Sequence, residues 1–486
     1  MSKPIALAMV SEERDMRVAP LSLLYIGGHL KKNDYDVQVF HISEDQIDKV
    51  AQDIYKIDPL FVGVSSITGN QTRHSALLSK ELKRLNHETK IMWGGVHPSL
   101  LPLQCAKEDY IDYVAVGEGE ETTLELAQAL EGKKDIKTVK GIIYQDEKRI
   151  IMNEKRELKP NIDEYTIDFS LIDLEKHLDF QWGSKKILSF ITSRGCPFDC
   201  AFCYNLRFNE RRWRPHSAEK VIREINELKD IYDLDGIRFY DDLLFSNPQR
   251  ALTLIKEINL PWYGEVRIGM VNEKFVDTLI ETHAMELLFG LESGSDRMLK
   301  LINKMQTVEQ IKKGIRLLKR AKGTRTVGSF ILGMPTETKE ETFETVDLIL
   351  ELSKIHPNMR FSAGFYMPYP GSDLYHLALE KGFIPPSKTE DWDCLDRWDG
   401  KMELKWLEWQ KNSDYFTTIR DYVNLLPLRD LNLPIISNLP DKRLVEKDFS
   451  HEKEIAFLRG LQRQYSIKDT AIGKVGRKVL PYLRAE

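Results

Sequence analysis

The sequence predicts an α/β protein: an open parallel sheet, then a second strand-and-helix series amounting to part of a barrel, then a mostly helical C-terminal region. Three observations carry this. From residue 4 to about 118, β-branched runs ("PIALAMV", "DVQVFHI", "FVGVSSI", "KIMWGGV", "YVAVGEG") alternate with segments of helix length, the signature of a parallel sheet with helical crossovers. A second series, "KILSFITS", "GIRFYDD", "YGEVRIG", "ELLFGLE", "TVGSFILG" and "FSAGFYMPY", follows with helical stretches such as 217–231, 307–321 and 339–354 between. Six such units fall short of the eight that close a complete barrel. Finally, 486 residues are too many for one ordinary core and enough for two or three domains that fold without staples.

Taken in order, residues 1–140 form the first domain. Its strands run into polar or glycine-rich loops, "SSITG" (65–69), "GGVHPS" (94–99) and "GEGEE" (117–121), on the sheet edge where open α/β sheets bind ligands. Residues 141–185 read as a hairpin, "GIIYQDEKRIIMN", and a proline-containing linker. Residues 186–376 carry the partial barrel and 377–486 the helical remainder. Four of the eight tryptophans lie in 391–409, and the chain ends in the basic, apolar "KVGRKVLPYLRAE". Core packing is the expected role of the tryptophans, with an apolar substrate site as the alternative. A solvated helix is expected of the tail, with contact at a membrane surface as the alternative.

Composition narrows the function. Lysine and arginine total 70 against 75 acidic residues, which offers no electrostatic case for nucleic acid. The opening apolar run, about seven residues, is too short for a signal peptide core or a membrane span, so a cytoplasmic protein is expected. Five cysteines, three of them within "TSRGCPFDCAFCYN", point to metal ligation in a reducing compartment rather than a disulfide framework.

Cys196, Cys200 and Cys203 follow the strand "KILSFIT", in the loop where a βα barrel presents its chemistry. A structural zinc site closes its tetrahedron with four ligands, and no fourth cysteine or histidine completes one here. Tetranuclear iron–sulfur clusters usually take four cysteines. Three therefore leave one iron with an open position, as a catalytic metal needs.

The spacing of these cysteines, with the aromatic Phe202, resembles the radical S-adenosylmethionine (SAM) superfamily. The resemblance implies a [4Fe-4S] cluster whose unique iron is chelated by SAM, and reductive cleavage to a 5′-deoxyadenosyl radical that abstracts hydrogen from substrate. It implies SAM contacts at Asp241 and Asp242 of "FYDDLLF", Glu292 and Ser293 of "FGLESGS", and Gly333 and Pro335 of "GSFILGMPTET". The local alternatives are a helix cap for either aspartate and an ion-paired carboxylate for Glu292.

With "APLSLLYIGGHL", "VGVSSITG", "WGGVHPSLLP" and "VAVGEGEETTLEL" the resemblance becomes one to the cobalamin-binding radical SAM enzymes, the methylase and anaerobic porphyrin-ester cyclase lineage. It implies a Rossmann-like cobalamin-binding domain before a partial (β/α)6 radical SAM barrel. Gly94, Gly95, Gly117 and Gly119 would let the macrocycle or its tail approach the backbone, a side chain at Gly95 or Gly119 being expected to fill that space. Ser65, Ser66 and Thr68 would bond its amides or phosphate. The Asp-x-His-x-x-Gly pattern of methionine-synthase-like domains is missing, as the resemblance allows; His97 is the nearest candidate cobalt ligand but is expected to be a turn or packing residue, and a domain that holds no cofactor is the alternative. Cys105 and Cys394 cannot ligate a second cluster of methylthiotransferase type and are expected to be buried thiols.

The activity so implied is methylation of an unactivated carbon of a small-molecule or lipid substrate, with a low-potential reductant such as flavodoxin or ferredoxin as partner. A cyclisation or rearrangement on the same architecture, and a non-catalytic corrinoid or cluster carrier, are the alternatives.

Overall fold

The computed structural model describes residues 3–147, 149–181, 184–396, 403–431, 436–450 and 452–469. The basic tail and Trp398 lie outside the described residues. The chain divides into two compact units, one comprising Met1–Val266, Thr278–Met285 and Met367–Met402, the other Arg267–Asp277, Glu286–Tyr366 and Glu403–Glu486.

The first unit opens with five parallel strands, β1 (Ile5–Ser11), β2 (Val37–Ser43), β3 (Val62–Ser65), β4 (Ile91–Gly94) and β5 (Tyr113–Ala115), in the order β2-β1-β3-β4-β5. Period two sorts their side chains between two cores. Ile5 and Leu7 face Leu23, Leu30, Leu124 and Leu126 of the helices Leu21–Lys32 and Glu120–Leu130. Ala6, Ala8 and Val10 face Ala51, Ile54, Ala76 and Leu82 of Ile47–Lys56 and Asn70–Leu85. Burial on both faces explains why the strands read as continuous apolar runs. The predicted hairpin, β6 (Ile142–Asp146) and β7 (Arg149–Met152), pairs antiparallel with β5 and extends this same sheet.

The same unit contains the first barrel strands. β8 (Asp179–Gln181) runs antiparallel to β9 (Ser184–Phe190). A two-residue ladder joins β10 (Ser193–Arg194) to β11 (Arg214–Pro215). β12 (Gly236–Phe239) lies parallel between β9 and β13 (Trp262–Val266). Residues 386–396 of this unit are held on the first domain. Trp392 donates its indole N–H to Gln104 Oε1 at 2.8 Å, and Asp396 Oδ2 accepts the Asn70 N–H, at the start of the helix Asn70–Leu85, at 2.8 Å.

In the second unit, β14 (Ala284–Glu292) from Glu286 onward, β15 (Arg325–Leu332) and β16 (Arg360–Phe365) are parallel in that order, with a bulge at Gly290–Glu292. The helices Ser413–Leu425, Leu439–Glu446 and Glu452–Asp469 complete it, tied by Glu454, which accepts from Tyr422 at 3.1 Å and Arg443 at 2.7 Å. Among the described residues no helix is long and apolar enough to cross a membrane. Trp392 and Trp406 are fully buried, as core packing requires. Cys105 is buried, whereas Cys394 is only half-buried, a correction to the expectation for the second thiol.

Candidate active site

The cysteine loop leaves β9 and is gripped at its root by both aspartates of "FYDD". Asp241 is buried and accepts the Thr192 N–H and hydroxyl, each at 2.7 Å, and the Ser193 hydroxyl. Arg250 donates to the Thr192 carbonyl at 2.8 Å from the other side. Asp242 Oδ2 accepts the Gly195 N–H at 2.8 Å. Neither aspartate caps the following helix; Asn247 does, accepting the Arg250 N–H at 3.1 Å. The carboxylate of Asp241 is thus turned toward the loop rather than toward a ligand's ammonium, which departs from the sequence-based expectation. Burial raises its pKa against the opposing pull of those hydrogen bonds.

Burial also pushes the Cys203 thiol up to about 12, with Asp242, Cys200 and Cys196 adding to the effect. The three cysteines are therefore close enough to feel one another's charge. As they stand, no three His, Cys, Asp or Glu side chains among the described residues form a closed metal cage. The donor set nonetheless fits an iron cluster, since a coordinating thiol is deprotonated by the metal itself. Cys203 N–H donates to the Cys200 carbonyl at 3.0 Å, and Phe202 lies between the two in sequence, half-buried.

One cavity of about 310 Å³ opens at the strand ends of the first domain. Ser65, Gly94, Gly95, Gly117 and Gly119 line it, and so do Ser193, Arg194, Tyr204 and Asp242 of the cysteine loop and its support. Its lining is mostly apolar and includes Gly94, Gly95, Gly117 and Gly119, the side-chain-free surface that close approach of a planar macrocycle requires. The glycines divide by what a side chain would meet. A Cβ at Gly95 (φ +97°) would stand 2.7 Å from the Ser66 carbonyl, and one at Gly119 would stand 2.7 Å from Ile26. Both glycines therefore also serve close packing at the cavity wall, where Ile26 is itself a lining residue. Gly117 (φ +87°) has nothing within 4 Å. Because Asn tolerates the left-handed region, Gly117→Asn is expected to fold and to weaken hydroxocobalamin binding, as corrin absorbance retained after gel filtration would report.

Ser66, Thr68 and His97 are not among the cavity's lining residues. His97 is fully buried, shares a 3.0 Å hydrogen bond with Thr68, and meets Trp392 edge-on at 5.7 Å between ring centroids. Burial lowers its pKa to about 3, so the ring is neutral where it packs against Trp392.

In the second unit, Glu292 sits at the β14 bulge with φ +64° and pairs with buried Lys304 at 2.6 Å. The lysine counter-ion gave no periodic signal in the sequence. Ser293 is buried, its hydroxyl 3.3 Å from that of Thr345. After β15, Gly333 (φ +73°) begins the turn containing Pro335. Trp406 donates to the Gly333 carbonyl at 2.8 Å and Trp409 to the Glu337 carbonyl at 2.7 Å, so two tryptophans brace this turn from below in sequence.

Glu337, not singled out from the sequence, accepts the Met334 N–H at 2.8 Å and the Thr342 hydroxyl at 2.9 Å. Burial raises its pKa from 4.5 to about 7. The folded protein therefore keeps a proton that the unfolded chain loses near 4.5, and stability falls as pH rises between these values, by roughly 1 kcal/mol per unit. Glu337→Gln is expected to flatten that slope, which denaturation midpoints at pH 5 and pH 7 would show.

A cysteine-bearing loop at the end of a barrel strand thus shares a cavity wall with the strand-end loops of a doubly wound domain, the arrangement of an enzyme built around cofactors. The models describing the radical SAM superfamily and the B12 binding domain match residues 190–349 and 9–127. A Pyrococcus horikoshii protein described as an uncharacterized methyltransferase is 30% identical over 395 residues, covering 79% of this chain and 83% of its own. The cytidylyl-2-hydroxyethylphosphonate methyltransferase of Streptomyces wedmorensis is 26% identical, covering 76% and 79%. The radical SAM methyltransferase TsrM of Kitasatospora setae, solved with cobalamin and a [4Fe-4S] cluster, superposes with a TM-score of 0.64 at 15% identity, covering 95% of this chain and 100% of its own. The chain belongs to the B12-binding radical SAM enzymes. Its fold is accordingly a Rossmann-like B12 domain, a radical SAM partial barrel and a helical C-terminal part, and its cofactors are a [4Fe-4S] cluster, SAM and cobalamin.

Proposed function

We propose that this enzyme is a cobalamin-dependent C-methyltransferase acting on an unactivated carbon of a small-molecule or lipid substrate. The observation that carries the reading is a cavity walled both by Gly94 and Gly117 and by the cysteine loop at Ser193 and Tyr204, which supports uptake of a substrate between the corrinoid loops and the loop that carries the cysteines. Relatives named as methyltransferases support methyl transfer over other outcomes. When bound, the cluster and SAM supply a radical and the corrinoid supplies a methyl group. The chain's own part is placement. Cys196, Cys200 and Cys203 hold the iron, Asp241 and Asp242 fix the loop that carries them, and the apolar lining excludes water from a reactive carbon. A low-potential donor such as flavodoxin or ferredoxin is the proposed electron source.

The test is anaerobic incubation of reconstituted enzyme with methyl-deuterated SAM, a strong reductant and an extract of candidate metabolites and lipids. Formation of 5′-deoxyadenosine with a product carrying the label is the expected result. Deoxyadenosine with an unlabelled, cyclised or rearranged product would replace methylation by that chemistry. No deoxyadenosine from fully loaded protein would point to a carrier.

A further inference from the structure

Arg194 stands two residues before Cys196 and is joined to the strand-end loop of the cobalamin domain. Its guanidinium bonds Glu118 at 2.8 Å and Glu120 at 2.5 Å. It lies over the rings of Tyr25, 5.0 Å from the centroid, and Tyr165, 5.6 Å away, so it has one orientation. Its ladder partner Arg214 takes the second oxygen of Glu118 at 2.8 Å. The flanking residues are fixed too, Ser193 by Asp241 and Gly195 by Asp242. Arg194, Glu118 and Glu120 all line the cofactor cavity.

A carboxylate pair between Gly117 and Glu121 and one guanidinium thus form charge-assisted bonds that end on the backbone two residues before the first cluster cysteine. Such bonds are directional and strong when buried. When a macrocycle seats against the 117–120 loop, the position of Glu118 and Glu120 is transmitted to the 193–196 backbone, and cluster assembly at Cys196 acts on those carboxylates in return. We propose that Arg194 is a positioning residue that couples the corrinoid site to the cluster site, so that filling either strengthens binding at the other. The coupling is reciprocal by thermodynamic necessity.

The experiment measures the dissociation constant of hydroxocobalamin for the full chain with and without a reconstituted cluster, alongside iron content and the thermal unfolding midpoint. Wild type is expected to bind hydroxocobalamin at least about fivefold more tightly when the cluster is present. In Arg194→Lys, which keeps the charge but cannot fork between two carboxylates, the ratio is expected to fall to about one with iron content retained. Removing Arg194 alone takes the guanidinium from buried Glu120 while Glu118 keeps Arg214, so the double variant Arg194→Gln, Glu120→Gln serves as the second test and should give the same collapse. A wild-type ratio of one, or a ratio that persists in both variants, overturns the inference. Failure of wild type to bind hydroxocobalamin in either state would overturn the cofactor assignment and this inference together.

Discussion

Cys196→Ala, Cys200→Ala and Cys203→Ala are each expected to lose the four-iron cluster altogether after anaerobic reconstitution, while Cys105→Ala keeps it. Each of the three removes one of only three protein ligands, and cluster binding supplies the free energy that overcomes repulsion among thiolates held as close as these. The starting state is unfavourable, since burial and the neighbouring thiols hold Cys203 at about 12. Two remaining thiols would have to be deprotonated and desolvated for fewer iron bonds. Cys105 lies buried in the first domain's core, where its sulfur accepts a long hydrogen bond from the Thr389 hydroxyl at 4.0 Å, and its loss removes that weak bond and a sulfur's packing, at a cost of about 1 kcal/mol. Iron and sulfide content with the visible absorbance of the cluster would check this. Equal iron loss in Cys105→Ala would show the ligand assignment to be wrong.

Gly195→Ala is expected to be nearly as severe although it removes no ligand. The residue has φ +84°, and an added Cβ would stand 2.0 Å from the Arg212 carbonyl oxygen and 3.0 Å from Asn209. The left-handed conformation alone costs an alanine about 1–2 kcal/mol. The carbonyl is backbone on the segment leading into β11, so it cannot rotate away without opening the β10–β11 ladder. The loop would then leave Asp242 and carry Cys196 with it. Iron content near that of the cysteine variants is expected, together with a lowered unfolding midpoint of the cluster-free protein. A Gly195→Ala protein with full iron content would show that the loop accommodates the methyl group, against the geometry.

The strands of both series were legible because their apolar runs and breakers are local signals, and because burial on two faces writes itself into "PIALAMV" as an unbroken run. The cysteines were legible for the same reason, lying within one short stretch. What was not legible depends on residues brought together from far along the chain. Nothing in "TSRGC" marks Arg194 as the partner of Glu118, 76 residues away, since an arginine in a loop reads as solvated. Asp241 and Asp242 were found, but only coordinates distinguish a carboxylate aimed at a ligand from one that clamps a neighbouring loop. The two tryptophans gripping the Gly333 turn, 73 and 72 residues away, were seen as aromatic bulk because hydrogen-bond direction has no counterpart in composition. Gly95 and Gly119 illustrate the same limit. A glycine announces close approach, but not what approaches.

The segment 386–396 has a consequence for the order in which this protein is made. Asp396 serves the N-terminus of a helix that begins 326 residues earlier, and Trp392 covers His97. At a synthesis rate of about 5–20 residues per second, the helix beginning at Asn70 waits on the ribosome roughly 15–65 s for Asp396. During that interval the amide of Asn70 lacks its carboxylate partner and the His97 ring lacks its aromatic cover. The cysteine loop, by contrast, has already emerged. The nascent chain therefore has its iron ligands before its corrinoid domain is finished, and a chain halted before residue 386 would expose that unfinished surface permanently.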